Sequence, residues 1–212
     1  MSLRRYSRSH GATALPNFED LQHQIPTSFK RSKFTILKQL QKHLPDDGSS
    51  CLLDNHLLID PVAAVIPDRS DRHHELRCLV RAPIFEELGK RAKDGDTILM
   101  TACLAADNQR DDDFLHEHLD IARNSGVPIY WINLRCDPDI LEQRLSTPGR
   151  QKGSKSKLTD VSVLRDIIKS NQLIKLPGKE NNDTWVIYRE LDVSGSVESS
   201  VGCLKEILGQ AS

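Results

Sequence analysis

The 212-residue sequence has no apolar run near the ~18 residues needed for a membrane-spanning helix, so no membrane partner is expected. It also lacks an excess of charge of either sign. A net charge of −1 argues neither for a polyanion nor for an acidic surface as partner. Aromatic residues are scarce, at 5%, and the basic stretch Gly149–Lys157 contains none, which argues against nucleic acid. The five cysteines (Cys51, Cys78, Cys103, Cys136, Cys203) are odd in number, widely spaced and without a C-x-x-C pair. That pattern suggests reduced, mostly buried thiols in a cytoplasmic protein. His73-His74 and His116-x-His118 lack the i, i+4 spacing of paired helical ligands, so no metal site is expected from them.

Positive charge gathers at the start. Residues 1–33 hold Arg4, Arg5, Arg8, Lys30, Arg31 and Lys33 against only Glu19 and Asp20. An acid-free, Arg- and Ser-containing first 18 residues has the bias of a mitochondrial transit segment, or of a disordered tail. Residues 1–31 as a whole read as irregular.

From about residue 34 the pattern becomes regular. Phe34–His43 has helical spacing and stops at Pro45. Cys51–Asp54 is a short apolar run ending in an acid, the pattern of a buried strand. Arg72–Lys93 is a long helix, with Leu76, Leu79, Val80, Ile84, Leu88 and Ala92 marking its expected inner face and Pro83 as a candidate kink. Thr97–Cys103 is a second strand. Asp111–Asp113 stands where a helix start welcomes acids, and Gly126 ends that helix. Val127–Leu134 is the clearest strand. Asp137-Pro138 opens a further helix as N-cap and first residue. Gly149–Lys157 is a polar, basic loop, Thr159 or Asp160 caps a helix to about Leu173, and Trp185–Tyr188 is a fourth strand. Ser194 or Ser196 begins the last helix.

Apolar strands alternating with helices imply parallel strands joined by crossovers, hence a three-layer α/β/α sandwich with a mainly parallel sheet. Phosphate chemistry in such folds sits beyond the carboxyl ends of the strands. The order of elements resembles the P-loop nucleotide and small-molecule kinases: the adenylate kinase, shikimate kinase and chloramphenicol phosphotransferase-like proteins. The resemblance covers roughly residues 32–209. It is carried by S-K-F-T-I-L-K-Q-L-Q-K-H-L (Ser32–Leu44), L-L-D-N-H (Leu52–His56), W-I-N-L-R-C-D-P-D-I-L-E-Q-R-L (Trp131–Leu145) and L-D-V-S-G-S-V-E (Leu191–Glu198).

The resemblance implies phosphoryl transfer from ATP, with Mg²⁺, to a hydroxyl of a small-molecule substrate. Such catalysis is mostly positioning and charge stabilisation. Lys33 would face the β and γ phosphates, with Ser32 beside it and Thr35 as the hydroxyl near Mg²⁺. Asp54 would orient the acceptor hydroxyl or take its proton, with Asn55 and His56 lining the acceptor site. Arg144 and Arg150 would clamp the transferred group from a lid at about 146–158, to whose field Lys152, Lys155 and Lys157 add. Each has a plainer counterpart: a strand-end acid that only holds structure, and a cation that only suits a helix end.

Two parts of the family's pattern are absent. Thr27–Thr35 reads T-S-F-K-R-S-K-F-T where the resemblance calls for G-x-x-x-x-G-K-[ST]. Thr27 and Ser32 stand at the glycine positions and Phe34 at the hydroxyl, so converging amides are not expected. The first central strand that should precede the loop is absent too, since Gly11–Pro26 holds two prolines and no β-branched apolar run. Four buried side chains on such a strand would contribute roughly 6–12 kcal/mol, comparable with the ~5–15 kcal/mol net stability of a domain. Three readings follow: a kinase with an unusual loop, a catalytically inactive binding protein that keeps the substrate cleft, or an aberrant product of a kinase gene.

Overall fold

The computed structural model describes residues 27–145, 165, 172–176 and 186–209. Within them the chain is mixed α/β, with six helices and four strands. In order these are α1 (Thr27–Gln41), β1 (Ser50–Leu53), α2 (His56–Val65), α3 (Asp71–Lys93), β2 (Thr97–Met100), α4 (Gln109–Ser125), β3 (Ile129–Arg135), α5 (Pro138–Leu145), β4 (Val186–Asp192) and α6 (Val197–Ile207).

The strands form two parallel pairs. β1 runs beside β2, from Ser50 opposite Thr97 to Leu53 opposite Met100. β3 runs beside β4, from Ile129 opposite Val186 to Arg135 opposite Asp192. Among the described residues no ladder joins one pair to the other. Residues 172–176 touch both. Ile174 donates its amide to the Leu104 carbonyl (3.1 Å), just after β2, and Ala106 donates to that of Gln172 (2.7 Å). Asn133 of β3 donates through Nδ2 to the Ile174 carbonyl (2.7 Å).

Side chains alternate between two apolar clusters, as the period-2 pleat requires. Leu52, Leu99, Ile132, Leu134 and Leu191 join Ile36 and Leu40 of α1 and Val201 and Leu204 of α6. Cys51, Leu53, Ile98, Met100 and Trp131 join Leu58 of α2, Phe85 and Leu88 of α3, and Phe114 and Leu115 of α4.

Helix ends follow the capping residues. Asn108 accepts from the amides of Arg110 (3.0 Å) and Asp111 (3.2 Å) at the start of α4. Gly126 closes that helix at φ +70°, a conformation that disfavours any side chain with a β-carbon. Asp137 accepts from the amides of Asp139 (2.8 Å) and Ile140 (3.4 Å), and Ser196 accepts from the amide of Ser199 (3.1 Å).

Four expectations change. α1 begins at Thr27 rather than Phe34, inside the segment read as irregular. Helix α2 was not foreseen, since Asp60-Pro61 interrupts its pattern. Pro61 removes the bond to the Leu57 carbonyl, on a residue that is itself exposed, where water can replace it. β4 runs on to Asp192, well past Tyr188. The inner face of α3 also differs: its buried residues are His73, Arg77, Arg81, Phe85, Leu88 and Ala92, while Leu79 is 71% exposed. The polar stripe faces inward because Arg81 meets both oxygens of Glu117 on α4 (2.7 and 2.6 Å) and lies 4.1 Å over the Phe114 ring. Helix 159–173 and the lid lie outside the described residues, apart from Arg165, Gln172 and Leu173. Arg165 pairs with Glu142 (2.6 and 2.8 Å).

His118 of α4 is buried among Phe85, Phe114 and Trp131. Its Nδ1 lies 2.7 Å from the Phe114 carbonyl, and its Nε2 has no partner. Burial lowers its pKa to about 4, helped by the Arg81 charge, against the Phe114 hydrogen bond and Glu117. Unfolded chains take up this proton near pH 6.5 and the folded chain only near 4. Stability is therefore expected to fall as pH drops through that window, by roughly 3 kcal/mol in total. Urea denaturation at pH 7 and pH 5 checks this. His118→Leu should lose markedly less stability between the two.

Candidate functional site

β1 and β2 end side by side, and the residues that follow them are clipped together. The Thr101 amide extends the ladder to the Leu53 carbonyl (3.2 Å). The Thr101 hydroxyl then donates to Asp54 Oδ1 (2.9 Å) while accepting from the Asn55 amide (3.0 Å). The His56 amide also donates to Asp54 Oδ1 (3.3 Å). One buried hydroxyl thus orients the strand-end carboxylate and the start of α2 together. The described contacts engage only Oδ1 of Asp54, so Oδ2 retains its acceptor capacity.

Lys33 reaches the same place from α1, donating from Nζ to the Ala102 carbonyl (2.9 Å), one residue beyond Thr101. Asn55 sits at the N-cap of α2, but its side chain makes no capping bond, and its Oδ1 is buried without a partner. His56, half-exposed, lies 3.6 Å from Asp60 one turn along α2. Four residues singled out from the sequence, Lys33, Asp54, Asn55 and His56, therefore meet at the carboxyl ends of β1 and β2.

The others do not join them in the expected way. Ser32 and Thr35 lie within α1, where amides past the first turn are spent on carbonyls four residues back. The window Thr27–Thr35 is thus a helix, not a loop of converging amides. Arg144, expected to clamp a phosphoryl group, instead donates to the carbonyls of Val193 (2.9 Å), Ser194 (2.9 Å) and Gly195 (2.7 Å). It ties α5 to the turn after β4, because those carbonyls have left the ladder and need donors. Arg150 and the lid lysines lie outside the described residues.

Three residues near this end escaped the sequence reading. Thr101 was only part of an apolar run. Asp111 is buried and accepts from the Ala105 amide (2.7 Å), which fixes the chain after β2. Arg77 is 7% exposed, and its Nε makes no hydrogen bond. Burial lowers its pKa to about 10, with the charges of Arg81 and Arg69 adding to the effect, and Asp111 opposes it. The signal for Arg77 was its spacing: His73, Arg77, Arg81 and Phe85 recur every four residues, one helical stripe.

Among the described residues no group of three or more His, Cys, Asp or Glu is placed to hold a metal ion, and no helix is long and apolar enough to cross a membrane. No protein-family model matches the sequence, and comparison with curated proteins finds no match.

Thr101→Val keeps the volume and removes the hydroxyl, leaving Asp54 with only the longer bond from the His56 amide and the Asn55 amide without an acceptor. Loss of a hydrogen bond to a charged group predicts destabilisation of about 1.5–3 kcal/mol in chemical denaturation.

Proposed function

We propose that this chain is a P-loop-kinase-like protein that binds a small hydroxyl-bearing molecule at the carboxyl ends of β1 and β2 and does not transfer phosphoryl groups from ATP. The observation that carries the reading is the meeting of Lys33 with the Asp54–Thr101 clip, from elements remote in sequence. In this reading Asp54 Oδ2 and Asn55 Oδ1 accept hydrogen bonds from the ligand's hydroxyl groups, and His56 lies at the rim. Parallel strands commonly serve ligands at this end.

The architecture proposed is one three-layer α/β/α sandwich whose middle layer is open between β2 and β3. Support comes from the two clusters, since both strand pairs feed both of them. Residues 172–176 also make contact beyond β2 and on β3. An opening there is where the family's central strand would run, and α1 follows where its phosphate loop would end.

ATP and Mg²⁺ do not fit this chain in the family's manner. A triphosphate needs amides converging at the start of a helix, with a lysine turned toward it. Here the window is helical from Thr27, and Lys33 is bonded to the Ala102 carbonyl. Isothermal calorimetry with millimolar Mg-ATP is expected to give no binding heat, in the wild type and in Lys33→Ala alike. Millimolar or tighter affinity that disappears in Lys33→Ala would restore the active-kinase reading.

The open middle layer also favours a second reading, an aberrant kinase product that lacks its strand and loop. An in-frame strand followed by G-x-x-x-x-G-K in the upstream genomic DNA is the result that reading requires; its absence there ends it.

A further inference from the structure

Among the described residues β2 and β3 are each paired on one side only. In a parallel ladder the N–H and C=O of one residue point to the same neighbour, and those of the next residue point away. Thr97 donates to the Ser49 carbonyl (2.8 Å) and Thr101 to that of Leu53 (3.2 Å), so Thr97, Leu99 and Thr101 face β1. Ile98 and Met100 therefore turn their backbone groups to the other edge. Val193 donates to the Arg135 carbonyl (2.7 Å), so Arg135, Asn133 and Trp131 face β4. Tyr130, Ile132 and Leu134 turn theirs the opposite way. Among the described residues no backbone hydrogen bond reaches the outward groups of these five.

The two edges border one space. Both strand pairs contribute to both apolar clusters. Residues 172–176 cross the carboxyl end of that space: Leu173 lies opposite Ala105, and Ile174 bonds to Leu104 and to the Asn133 side chain. Neither edge carries the lysines, prolines or charges that protect an outer strand, since β2 reads T-I-L-M and β3 reads I-Y-W-I-N-L as far as Leu134. β4, on the far side of β3, does carry them, with Arg189, Glu190 and Asp192 exposed. Backbone groups within an apolar layer need partners. The stretches outside the described residues contain no run of four consecutive apolar residues to supply them.

We propose that an extended, apolar segment of a partner polypeptide adds as a middle strand between β2 and β3. The proposal rests on the reading of the two strand pairs as one layer. Successive residues of such a strand bond alternately to β2 and to β3, so backbone pairing supplies the affinity. Its side chains alternate between the cluster holding Leu99, Ile132 and Leu134 and the cluster holding Ile98, Met100 and Trp131. Every position must therefore be apolar, with β-branched residues favoured, as in a strand buried on both faces. β2 has four residues and β3 seven, which sets the segment at about five.

Amide hydrogen exchange of the full chain, read by NMR, tests it with the peptide K-V-I-V-V-I-K and a copy N-methylated at its five apolar residues. In the free chain the amides of Ile98, Met100, Tyr130, Ile132 and Leu134 should exchange fast beside slow Leu99, Trp131 and Asn133. Peptide at ten times its dissociation constant should slow those five about tenfold, and the methylated copy should leave them unchanged. Equal protection of all eight amides before peptide is added means that the chain covers its own edges, which overturns the proposal. So does an equal effect of the methylated copy. If the free chain is unfolded by circular dichroism, folding on addition of peptide supports the proposal and an unaltered spectrum ends it. Slowing confined to one edge refutes the one-layer reading and insertion with it. No slowing at either edge refutes insertion alone, so the two failures are distinct.

Discussion

The parallel ladder between Ser50–Leu53 and Thr97–Met100 is the contact on which the rest depends. Two parallel strands cannot be joined by a tight turn, so the chain between them must cross over through helices. α2 and α3 are that crossover, and their direction is set by the clip at the strand ends. Thr101 holds Asp54 and Asn55, which launches α2, and α3 then returns along the strands with Phe85 and Leu88 in the core. Disturb the ladder and the carboxylate, the helix start and the polar stripe all lose their reference.

That stripe also shows how burial can favour charge over apolar surface. Leu79 is left in solvent while Arg81 enters the core, because Glu117 and the Phe114 face give the guanidinium both its hydrogen bonds and its contact surface. A bidentate pair with good geometry offsets its desolvation in a way a lone cation does not. Arg77 faces the same interior with its Nε left without a hydrogen bond, and burial lowers its pKa to about 10 against the opposing field of Asp111. Arg144 is the reverse case: it is bound to three carbonyls of the 193–195 turn and acts as a strut.

Much of the fold was legible in particular residues. The four strands announced themselves as short apolar runs between polar turns, and Asp137, Ser196 and Gly126 marked helix ends through local chemistry that needs no partner. Lys33, Asp54, Asn55 and His56 were singled out through the kinase resemblance, Lys33 by its place at the loop lysine and Asp54 as an acid at the end of a short apolar run. Helix α2 was not legible, as Pro61 obscures a helix whose compensation is exposure of Leu57. The inner face of α3 was not legible either, since hydrophobicity alone chose the leucines, and nothing in the local sequence tells Arg81 that Glu117, 36 residues away, will meet it.

By itself, the sequence determined the strands, most helix ends and the absence of a glycine loop, because these follow from side-chain chemistry within one or two turns of chain. Tertiary structure alone decided that Thr27–Thr35 is helical, that Thr101 orients Asp54, and that Arg144 braces a turn while the Nε of Arg77 is left without a hydrogen bond. Each of these depends on which group lies across a packed interface, and only the folded chain brings such groups within hydrogen-bonding distance.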